Sequence, residues 1–353
     1  MSLWVDKQRP TSLAKLSLHT QLTTKLQALG SSNDLPHLLF YGPPGAGKKT
    51  RVMALLREIY GAGVERVRLE HRTFKTPNNK AIDITTLGSN YHIECNPSDA
   101  GNNDKYIIQD VIKEIASHGT LQSAGQVKAF KVVVLTEVDK LTKQAQASLR
   151  RTMEKYSSHC RIILICNSSS KIIAPVRSRC LGIRVPSPSH EEIAEVLVTV
   201  AKKEQCPCPR ELAMTISISS QRNLRRALLM LEGCKVQNCP LEPDQQVLLP
   251  DWEMYIIRLA REILSDQSPT KLLQARDMMY ELLTNCIPAT VIIETLTREL
   301  MKAMDDQLKH ELIHWAAFYE HRLQTGSKEI FHLESFVCKI MSIYKRFIIS
   351  MFG

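Results

Sequence analysis

PHLLFYGPPGAGKKT, residues 36–50, is the stretch from which the rest of the chain can be interpreted. Its apolar residues 38–40 predict a short buried strand, which a glycine-rich turn and the start of a helix follow. Gly42, Gly47 and Lys48 match the pattern GxxxxGK[ST] at every position but the last. Lys49 stands at that last position, where the pattern has a serine or threonine hydroxyl.

A loop of this pattern binds phosphate mainly through its backbone. The glycines allow N–H groups to close around phosphate oxygens at the positive end of the following helix, and the lysine reaches the β- and γ-phosphates. We therefore predict that the loop binds ATP or ADP. The cofactor-binding residues expected in the loop are Gly42, Pro43, Pro44, Gly45, Ala46, Gly47, Lys48, Lys49 and Thr50.

A second apolar run, residues 132–135, predicts the strand that completes such a site. In proteins with this loop, the strand ends in an aspartate that holds Mg²⁺ and an acidic residue that orients the attacking water. Here it ends in Thr136 and Glu137, so Glu137 is the candidate catalytic residue and the aspartate is missing. Thr50 is a poor substitute for the missing loop hydroxyl, because one residue turns a side chain by about 100° around a helix.

These two departures fall on both usual protein contacts to the metal. We expect the nucleotide to be bound, Mg²⁺ to be weakly held or absent, and hydrolysis at this site to be poor. The alternative is that water or Asp139 replaces the lost ligands and that the site turns over normally.

Composition and charge limit the class of protein. At 353 residues and 44% apolar content, the chain is long enough for two or three domains with buried cores. It has neither an apolar leader nor an apolar run of about 18 residues, so we expect an intracellular, soluble protein without a membrane partner. The net charge of +10 is compatible with a polyanionic partner and equally with a basic, solvated surface. The ten cysteines include no CxxC pair, which argues against a zinc ribbon.

Strand and helix patterns alternate through the first half of the chain. Residues 64–74 and 81–95 predict a hairpin that leads into a strand near residues 91–95, and apolar runs predict strands at 161–167 and 182–186. Strands separated by helices indicate a parallel α/β sheet covered on both faces. We predict an α/β nucleotide-binding domain over residues 1–187, a three-helix lid over 188–240, a linker over 241–251 and an all-α domain over 252–353.

Residues 310–314, HELIH, fit the zinc-peptidase pattern HExxH, with Glu334 downstream as a third candidate ligand. On a helical wheel, however, His310 and His314 lie opposite the apolar face that begins at Leu308. Catalytic zinc also needs a shaped cleft with supporting hydrogen bonds. We interpret the histidines as surface residues of an oligomerisation helix and expect no metal site there; a zinc peptidase is the alternative.

Eight stretches over essentially the whole chain carry a resemblance to a known family. They are LWVDKQRP, GPPGAGKKT, NPSDAG, LTEVDKLT, LRRTMEKY, CNSSSKIIAPVRSRC, RNLRRALLMLE and AAFYEHRLQTGSKEIFHLESFV. On these stretches the chain resembles the clamp-loader branch of the AAA+ ATPases, and within it the small subunits of the eukaryotic sliding-clamp loader. The combination of GKK with TEVD is specific, because other small subunits of that family normally carry GKT or GKS with DEAD.

The resemblance implies a fold and a set of partners. It implies an AAA+ domain with a parallel sheet, a three-helix lid that carries a nucleotide sensor, and an all-α collar that holds a ring of five subunits together. The implied partners are other clamp-loader subunits, the sliding clamp and primer–template DNA, in the nucleus. The implied activity is a DNA-dependent ATPase of the complex. An autonomous DNA-stimulated AAA+ ATPase is the alternative.

The resemblance also assigns roles at the nucleotide. Val5, Arg9 and Pro10 match the segment that packs around adenine in the family, although Gln8 stands where a tyrosine is usual.

Three further matches concern catalysis. Asn167 matches sensor 1, which polarises the attacking water, and Arg225 matches sensor 2, which reports the nucleotide state to the lid. Arg179, within Ser178-Arg179-Cys180, matches a finger that the family inserts in trans into a neighbouring subunit's ATP. A guanidinium there stabilises charge on the transferring phosphoryl group. Without the resemblance, Arg179 would be interpreted as part of a basic surface loop.

The family tracks DNA phosphates with helix N-termini and basic residues. The candidates in this chain, on the NPSDAG helix and on the helix after TEVD, are Ser98, Asn103, Lys105, Lys113 and Lys143. Such contacts would be independent of sequence and sensitive to salt. Each lysine taken alone is better interpreted as an ordinary surface charge.

Overall fold

The chain forms an α/β unit followed by an all-helical unit. The computed structural model describes residues 3–32, 34–75, 81–117, 130–157 and 160–352. It divides the chain into Met1–Val247 and Leu248–Gly353. The strands are β1 Leu38–Tyr41, β2 Arg68–Lys75, β3 Ala81–Gly88, β4 His92–Cys95, β5 Lys131–Leu135, β6 Cys160–Cys166 and β7 Leu181–Arg184.

The helices of the first unit are α1 Trp4–Lys7, α2 Thr20–Ser31, α3 Lys48–Tyr60, α4 Asp104–Ser117, α5 Lys143–Lys155, α6 Ala174–Arg177, α7 His190–Lys203, α8 Arg210–Ser219 and α9 Leu224–Gln237. Short 3₁₀ helices are Leu13–Lys15, Gly61–Glu65, Pro97–Asn103 and Val138–Lys140. The helices of the second unit are α10 Asp251–Ser265, α11 Pro269–Thr284, α12 Ala289–Ala303, α13 Asp306–Thr325 and α14 Glu329–Phe352.

The seven strands form one sheet in the order β2-β3-β4-β5-β6-β1-β7. The strands from β4 to β7 in this order pair in parallel. The β2–β3 hairpin adds two antiparallel strands at the other edge. The predicted parallel sheet and hairpin are therefore confirmed; the predicted turn, residues 76–80, lies outside the described residues.

Apolar side chains alternate between the two faces of the central strands. On β5, Val132 and Val134 pack towards α2 and α3, whereas Val133 and Leu135 pack towards α4 and α5. Because both faces are covered, the strand is apolar at each of these positions, as expected for a parallel sheet. The carboxyl ends of β5, β6 and β1 meet at one edge of this sheet, and the segments that follow them carry the candidate site.

Three helices, α7 to α9, pack together as the lid. A capping box begins α7: Ser189 Oγ accepts from the Glu192 N–H at 3.2 Å, and the Ser189 N–H donates to the Glu192 carboxylate at 2.7 Å. At the start of α9, Asn223 Oδ1 accepts from the Arg226 N–H at 3.2 Å. Such caps satisfy helix N–H groups and thereby define where each helix begins.

The second unit is a bundle of five helices with its own core. Ile256 of α10, Ile292 of α12 and Phe336 of α14 are completely buried in it. The predicted faces of the HExxH helix are confirmed, since Leu308 is buried and both His310 and His314 are exposed. No helix in the described ranges is long and apolar enough to cross a membrane.

Gln146 fastens α5 to the segment before α6 and supports a prediction about stability. Its buried amide donates to the carbonyls of Leu141 (3.2 Å) and Lys171 (3.3 Å) and accepts from the Ile173 N–H (2.9 Å). We expect Gln146→Leu to lower the free energy of unfolding by about 1–3 kcal/mol, because buried partners lose their hydrogen bonds.

The matched control for Gln146 is Gln144→Leu, an exposed position on the same helix, where we expect a change of at most about 0.5 kcal/mol. Chemical denaturation of the full chain measures the free energy of unfolding of both variants. Equal stability of the two variants would contradict the role given to the Gln146 amide.

Candidate functional site

The glycine-rich loop connects β1 to α3 in a conformation that only glycine adopts without strain. Gly42 and Gly45 have φ angles of +151° and +73°. A Cβ on Gly42 would lie 2.0 Å from the Val185 carbonyl oxygen, and one on Gly45 would lie 1.8 Å from Asn223 Oδ1. The loop is therefore packed between Val185, which follows β7, and Asn223, the residue that caps the lid helix α9.

Lys48, the first residue of α3, is held by three acceptors. Its Nζ donates to the carbonyl oxygens of Gly42 (2.6 Å) and Pro43 (2.8 Å) and to Asn167 Oδ1 (2.9 Å). Only 8% of the residue is exposed. Burial is the main cause that lowers its pKa; nearby Asp139 opposes this shift and Arg225 adds to it.

A cavity of about 480 Å³ lies beside this loop, within the first unit. The predicted site residues that line it are Val5, Arg9, Pro10, Pro44, Gly45, Ala46, Gly47, Lys48, Lys49, Thr50, Glu137, Asn167 and Arg225. Other lining residues include Gln8, Arg51, Glu94, Thr136 and Asp139. The cavity thus brings together the phosphate loop, the N-terminal segment, the ends of β5 and β6, and the lid.

The end of β5 carries the second half of the site. Thr136 Oγ1 donates to the Cys95 carbonyl at 3.4 Å. Glu137 has a φ of +54°, and its carboxylate pairs with Lys140 Nζ at 2.7 Å. Asp139 Oδ1 is buried without a hydrogen-bond partner.

The metal position of such sites is filled differently here. Lys49 Nζ pairs with the carboxylate of Glu94, which lies on β4 and is 7% exposed. An ammonium therefore stands at the position of the metal-binding hydroxyl, and the Thr136 hydroxyl at that of the metal-binding carboxylate. Among the described residues, no group of three or more His, Cys, Asp or Glu side chains could hold a metal ion. An ammonium at the hydroxyl position does not fit Mg²⁺, because a protonated amine cannot coordinate a metal that takes oxygen ligands from the protein and from substrate phosphates.

Glu94 is the residue that sequence reasoning missed. It belongs to HIEC, where an acidic residue interrupts a buried strand, and it is a buried acid that needs a counter-ion. That signal was available in the sequence. Its partner Lys49 belongs to α3, far away along the chain, and the two side chains meet only in the folded structure.

The lid and the N-terminal segment are fastened to each other at the side of the cavity. Lys7 Nζ donates to the Glu204 carboxylate at 2.7 Å, and Gln8 Nε2 donates to the same carboxylate. The Trp4 N–H donates to Glu232 at 3.1 Å, and Lys235 Nζ lies 4.8 Å from the Trp4 ring centre. Gln8, which replaces the usual tyrosine, therefore makes a polar contact with the lid.

Arg179 does not line the cavity of its own chain. Its Nε donates to Glu154 at 2.7 Å, and one terminal nitrogen donates to the Pro175 carbonyl at 2.8 Å. About a third of its side chain is exposed. The guanidinium is thus held at the surface by the end of α5.

Three of the five predicted DNA-contact residues lie at the first turns of α4 and α5. Asp104 accepts from the Thr142 N–H (2.7 Å) and hydroxyl (2.9 Å), and thereby places the two helix N-termini side by side. Asn103, Lys105 and Lys143 lie at these N-termini. The two remaining candidates are Ser98, in the preceding 3₁₀ helix, and Lys113, farther along α4.

Comparisons with known proteins agree with this architecture. Residues 18–189 match the family described as DNA polymerase III, delta subunit, residues 195–236 the RCF1/5-like AAA+ ATPase lid domain, and residues 252–348 the replication factor C subunit 3 C-terminal domain. A RuvB Holliday junction branch migration motor from Thermotoga maritima shares the fold with a TM-score of 0.53 at 16% identity, covering 86% of this chain and 97% of that one.

Curated relatives match over nearly the full length. Replication factor C subunit 3 from Bos taurus is 56% identical and that from Homo sapiens 55% identical, each covering 98% of this chain and 97% of the relative. The protein of that name from Arabidopsis thaliana is 53% identical, covering 99% of this chain and all of the relative.

The sheet, the phosphate loop and the three-helix lid define an AAA+ protein. Within that class, the chain belongs to the family of replication factor C subunits 3 and 5, which are clamp-loader subunits of DNA replication. The fold class and the family expected from the sequence are thereby confirmed.

Proposed function

We propose that this chain is one subunit of a heteropentameric complex that loads the sliding clamp onto primer–template DNA in replication and repair, in the nucleus. The proposal is supported chiefly by the full-length similarity to replication factor C subunit 3. The helical second unit would form the collar that joins the subunits, and it matches the C-terminal domain of that family over residues 252–348. Other clamp-loader subunits, the clamp and DNA are the proposed partners.

The chain would bind ATP or ADP in the cavity beside the loop. Lys48 and the loop N–H groups would hold the phosphates, and Val5, Arg9 and Pro10 would pack around the base. Arg225 of the lid lines the same cavity and would sense the nucleotide. This arrangement supports nucleotide binding, because the loop, the N-terminal segment and the lid all line the same cavity.

Hydrolysis at this site would be weak or absent. Mg²⁺ normally neutralises charge that develops between the β- and γ-phosphates. Lys49 and Thr136 stand here at the two positions whose side chains usually hold that ion. The candidate catalytic carboxylate, Glu137, is paired with Lys140. Asn167 would still contact the terminal phosphate region, since it lines the cavity beside Lys48.

The catalytic contribution of this chain would be made to a neighbour. Arg179 lies outside its own cavity on a partly exposed surface, which suits insertion into the nucleotide site of an adjoining subunit. The adjacent N-termini of α4 and α5 would contact DNA phosphates, with Ser98, Asn103, Lys105, Lys113 and Lys143 as the proposed contacts.

Glu137→Gln provides a test of the weak-hydrolysis proposal. In an assembled complex whose other nucleotide sites have been inactivated, we expect the remaining DNA-stimulated phosphate release to be near background and unchanged by Glu137→Gln, because this site contributes little hydrolysis. In an ordinary site, loss of the general base would cost about 10²–10⁴-fold. Steady-state phosphate release from that complex, with DNA and clamp present, measures the effect.

The same variant distinguishes the second candidate function, an autonomous ATPase. Asp139 keeps a buried oxygen without a partner at the cavity, and this is the observation that favours that alternative. Rapid hydrolysis by the purified chain that disappears in Glu137→Gln would support it and refute the interpretation of Lys49 and Thr136. Asp139→Asn in the same background would then show whether that carboxylate holds a metal.

A further inference from the structure

Lys49 and Glu94 form an ion pair at the wall of the cavity. Both residues line it, and the Lys49 ammonium contacts the Glu94 carboxylate directly. Glu94 is 7% exposed, and a carboxylate so deeply buried requires a positive partner. Lys49 is more accessible, with 37% of its side chain exposed. Glu94 is therefore buried in the protein, whereas the Lys49 side chain remains partly exposed to the cavity.

The Glu94 carboxylate comes from the strand next to the one that lost its acid. In the parallel pairing of β4 with β5, Glu94 lies opposite Val134, and Cys95 lies opposite Leu135. The Thr136 N–H then donates to the Cys95 carbonyl at 3.1 Å. An acidic side chain is thus present at this edge of the sheet, displaced by one strand from Thr136.

Buried His92 does not replace Lys49 as the partner of Glu94. Burial is the main cause that lowers the pKa of His92; the nearby Glu94 carboxylate opposes this shift and Lys49 adds to it. Its Nδ1 is engaged with Ser89 Oγ at 2.7 Å. Lys49 is therefore the cation that balances Glu94.

We propose that the Lys49 ammonium, held by Glu94, serves as a tethered cation in place of Mg²⁺, so that this site binds nucleotide without a divalent metal. The inference rests on the proposed nucleotide binding and specifies how it is achieved. An ammonium has three N–H groups, and a single carboxylate oxygen takes one of them. The others can donate to phosphate oxygens, as the neighbouring Lys48 does to its own acceptors.

The charges agree with binding but not with hydrolysis. Mg²⁺ and an aspartate together contribute a formal charge of +1, whereas the Lys49 ammonium and the Glu94 carboxylate contribute zero. The site therefore keeps hydrogen-bond donors for phosphate while it offers less positive charge to the phosphoryl group in transfer. A tethered ammonium also cannot bridge two phosphates with the octahedral geometry of the metal.

The test is binding of fluorescent ADP to the full chain, measured with Mg²⁺ and with excess EDTA. For the native chain we expect dissociation constants that agree within about twofold in the two conditions. Lys49→Thr restores the loop hydroxyl and leaves Glu94 beside it, so we expect binding to weaken about tenfold or more in EDTA and to recover with Mg²⁺. Native binding that requires Mg²⁺, or a Lys49→Thr variant as indifferent to Mg²⁺ as the native chain, would overturn the inference.

Two further variants control for folding and for general loss of charge. Lys49→Met combined with Glu94→Gln removes both charges and leaves no unpaired buried carboxylate; we expect about tenfold weaker binding in both conditions. Lys25→Met, at an exposed position of α2, should change nothing. If the native chain binds no ADP in either condition, the proposed nucleotide binding itself fails. Binding only with Mg²⁺ refutes the tethered cation alone.

Discussion

Arg179→Ala abolishes hydrolysis at the neighbouring subunit's site in the assembled complex, while nucleotide binding by this chain is unchanged: this is the largest effect that we expect. A guanidinium finger that stabilises the transferring phosphoryl group contributes about 10³–10⁵-fold to the rate. The total ATPase rate of the complex should fall by the share of that one site, and clamp loading should fall with it. Phosphate release and clamp loading by the reconstituted complex measure the two effects.

Two control variants test whether the effect is specific to the Arg179 guanidinium: one removes a neighbouring arginine, and the other keeps the positive charge at position 179. Arg177→Ala removes an exposed arginine two residues away and should leave the ATPase rate unchanged. Arg179→Lys keeps the charge but loses the planar fork of donors, so we expect it to recover little activity. An unchanged rate in Arg179→Ala would mean that the guanidinium serves only its contacts with Glu154 and Pro175.

Gly45→Ala should both destabilise the first unit and impair nucleotide binding. The residue has a φ of +73°, and an added Cβ would lie 1.8 Å from the oxygen with which Asn223 caps α9. We expect the free energy of unfolding to fall by about 2–3 kcal/mol, from backbone strain and the displaced cap together. Because the lid would be pushed off the loop, fluorescent ADP should bind at least about tenfold more weakly.

Gly47→Ala separates backbone strain from the collision. Gly47 has a similar φ of +84°, but nothing lies within 4 Å of an added Cβ. We expect only the strain, about 1–2 kcal/mol, in chemical denaturation of this variant. Asn223→Gly in the Gly45→Ala background should restore part of the lost stability. If Gly45→Ala and Gly47→Ala lowered the free energy of unfolding equally, the contact with Asn223 would add nothing to the effect of backbone strain.

Local patterns predicted the sheet and the lid because they act over a few residues. The apolar runs that form β1, β5 and β6, and the alternation that forms the hairpin, are each patterns of neighbouring residues. The loop and its departure at Lys49 were equally visible, since a phosphate loop is a contiguous motif. Their positions on one edge of the sheet followed from the parallel order of the strands.

Contacts between distant residues could not be predicted in this way. Glu94 is paired with Lys49, and Arg179 with Glu154, only because separate elements fold against each other. No local pattern of charged residues in the sequence predicts either ion pair. The same holds for Glu204, which ties the N-terminal segment to the lid from the end of α7. Side-chain partners of this kind follow from tertiary packing, and sequence periodicity does not contain them.

The three acceptors of Lys48 make the proposed nucleotide binding an exchange of one set of hydrogen bonds for another. All three N–H groups of its ammonium are already engaged, by two loop carbonyls and by Asn167. A phosphate that takes over this lysine replaces those bonds, so the lysine's own hydrogen-bond count hardly changes. Its gain in affinity must then come from bringing opposite charges together, a long-range term that salt screens over about 8–10 Å. The proposed affinity for nucleotide should therefore fall as the salt concentration rises.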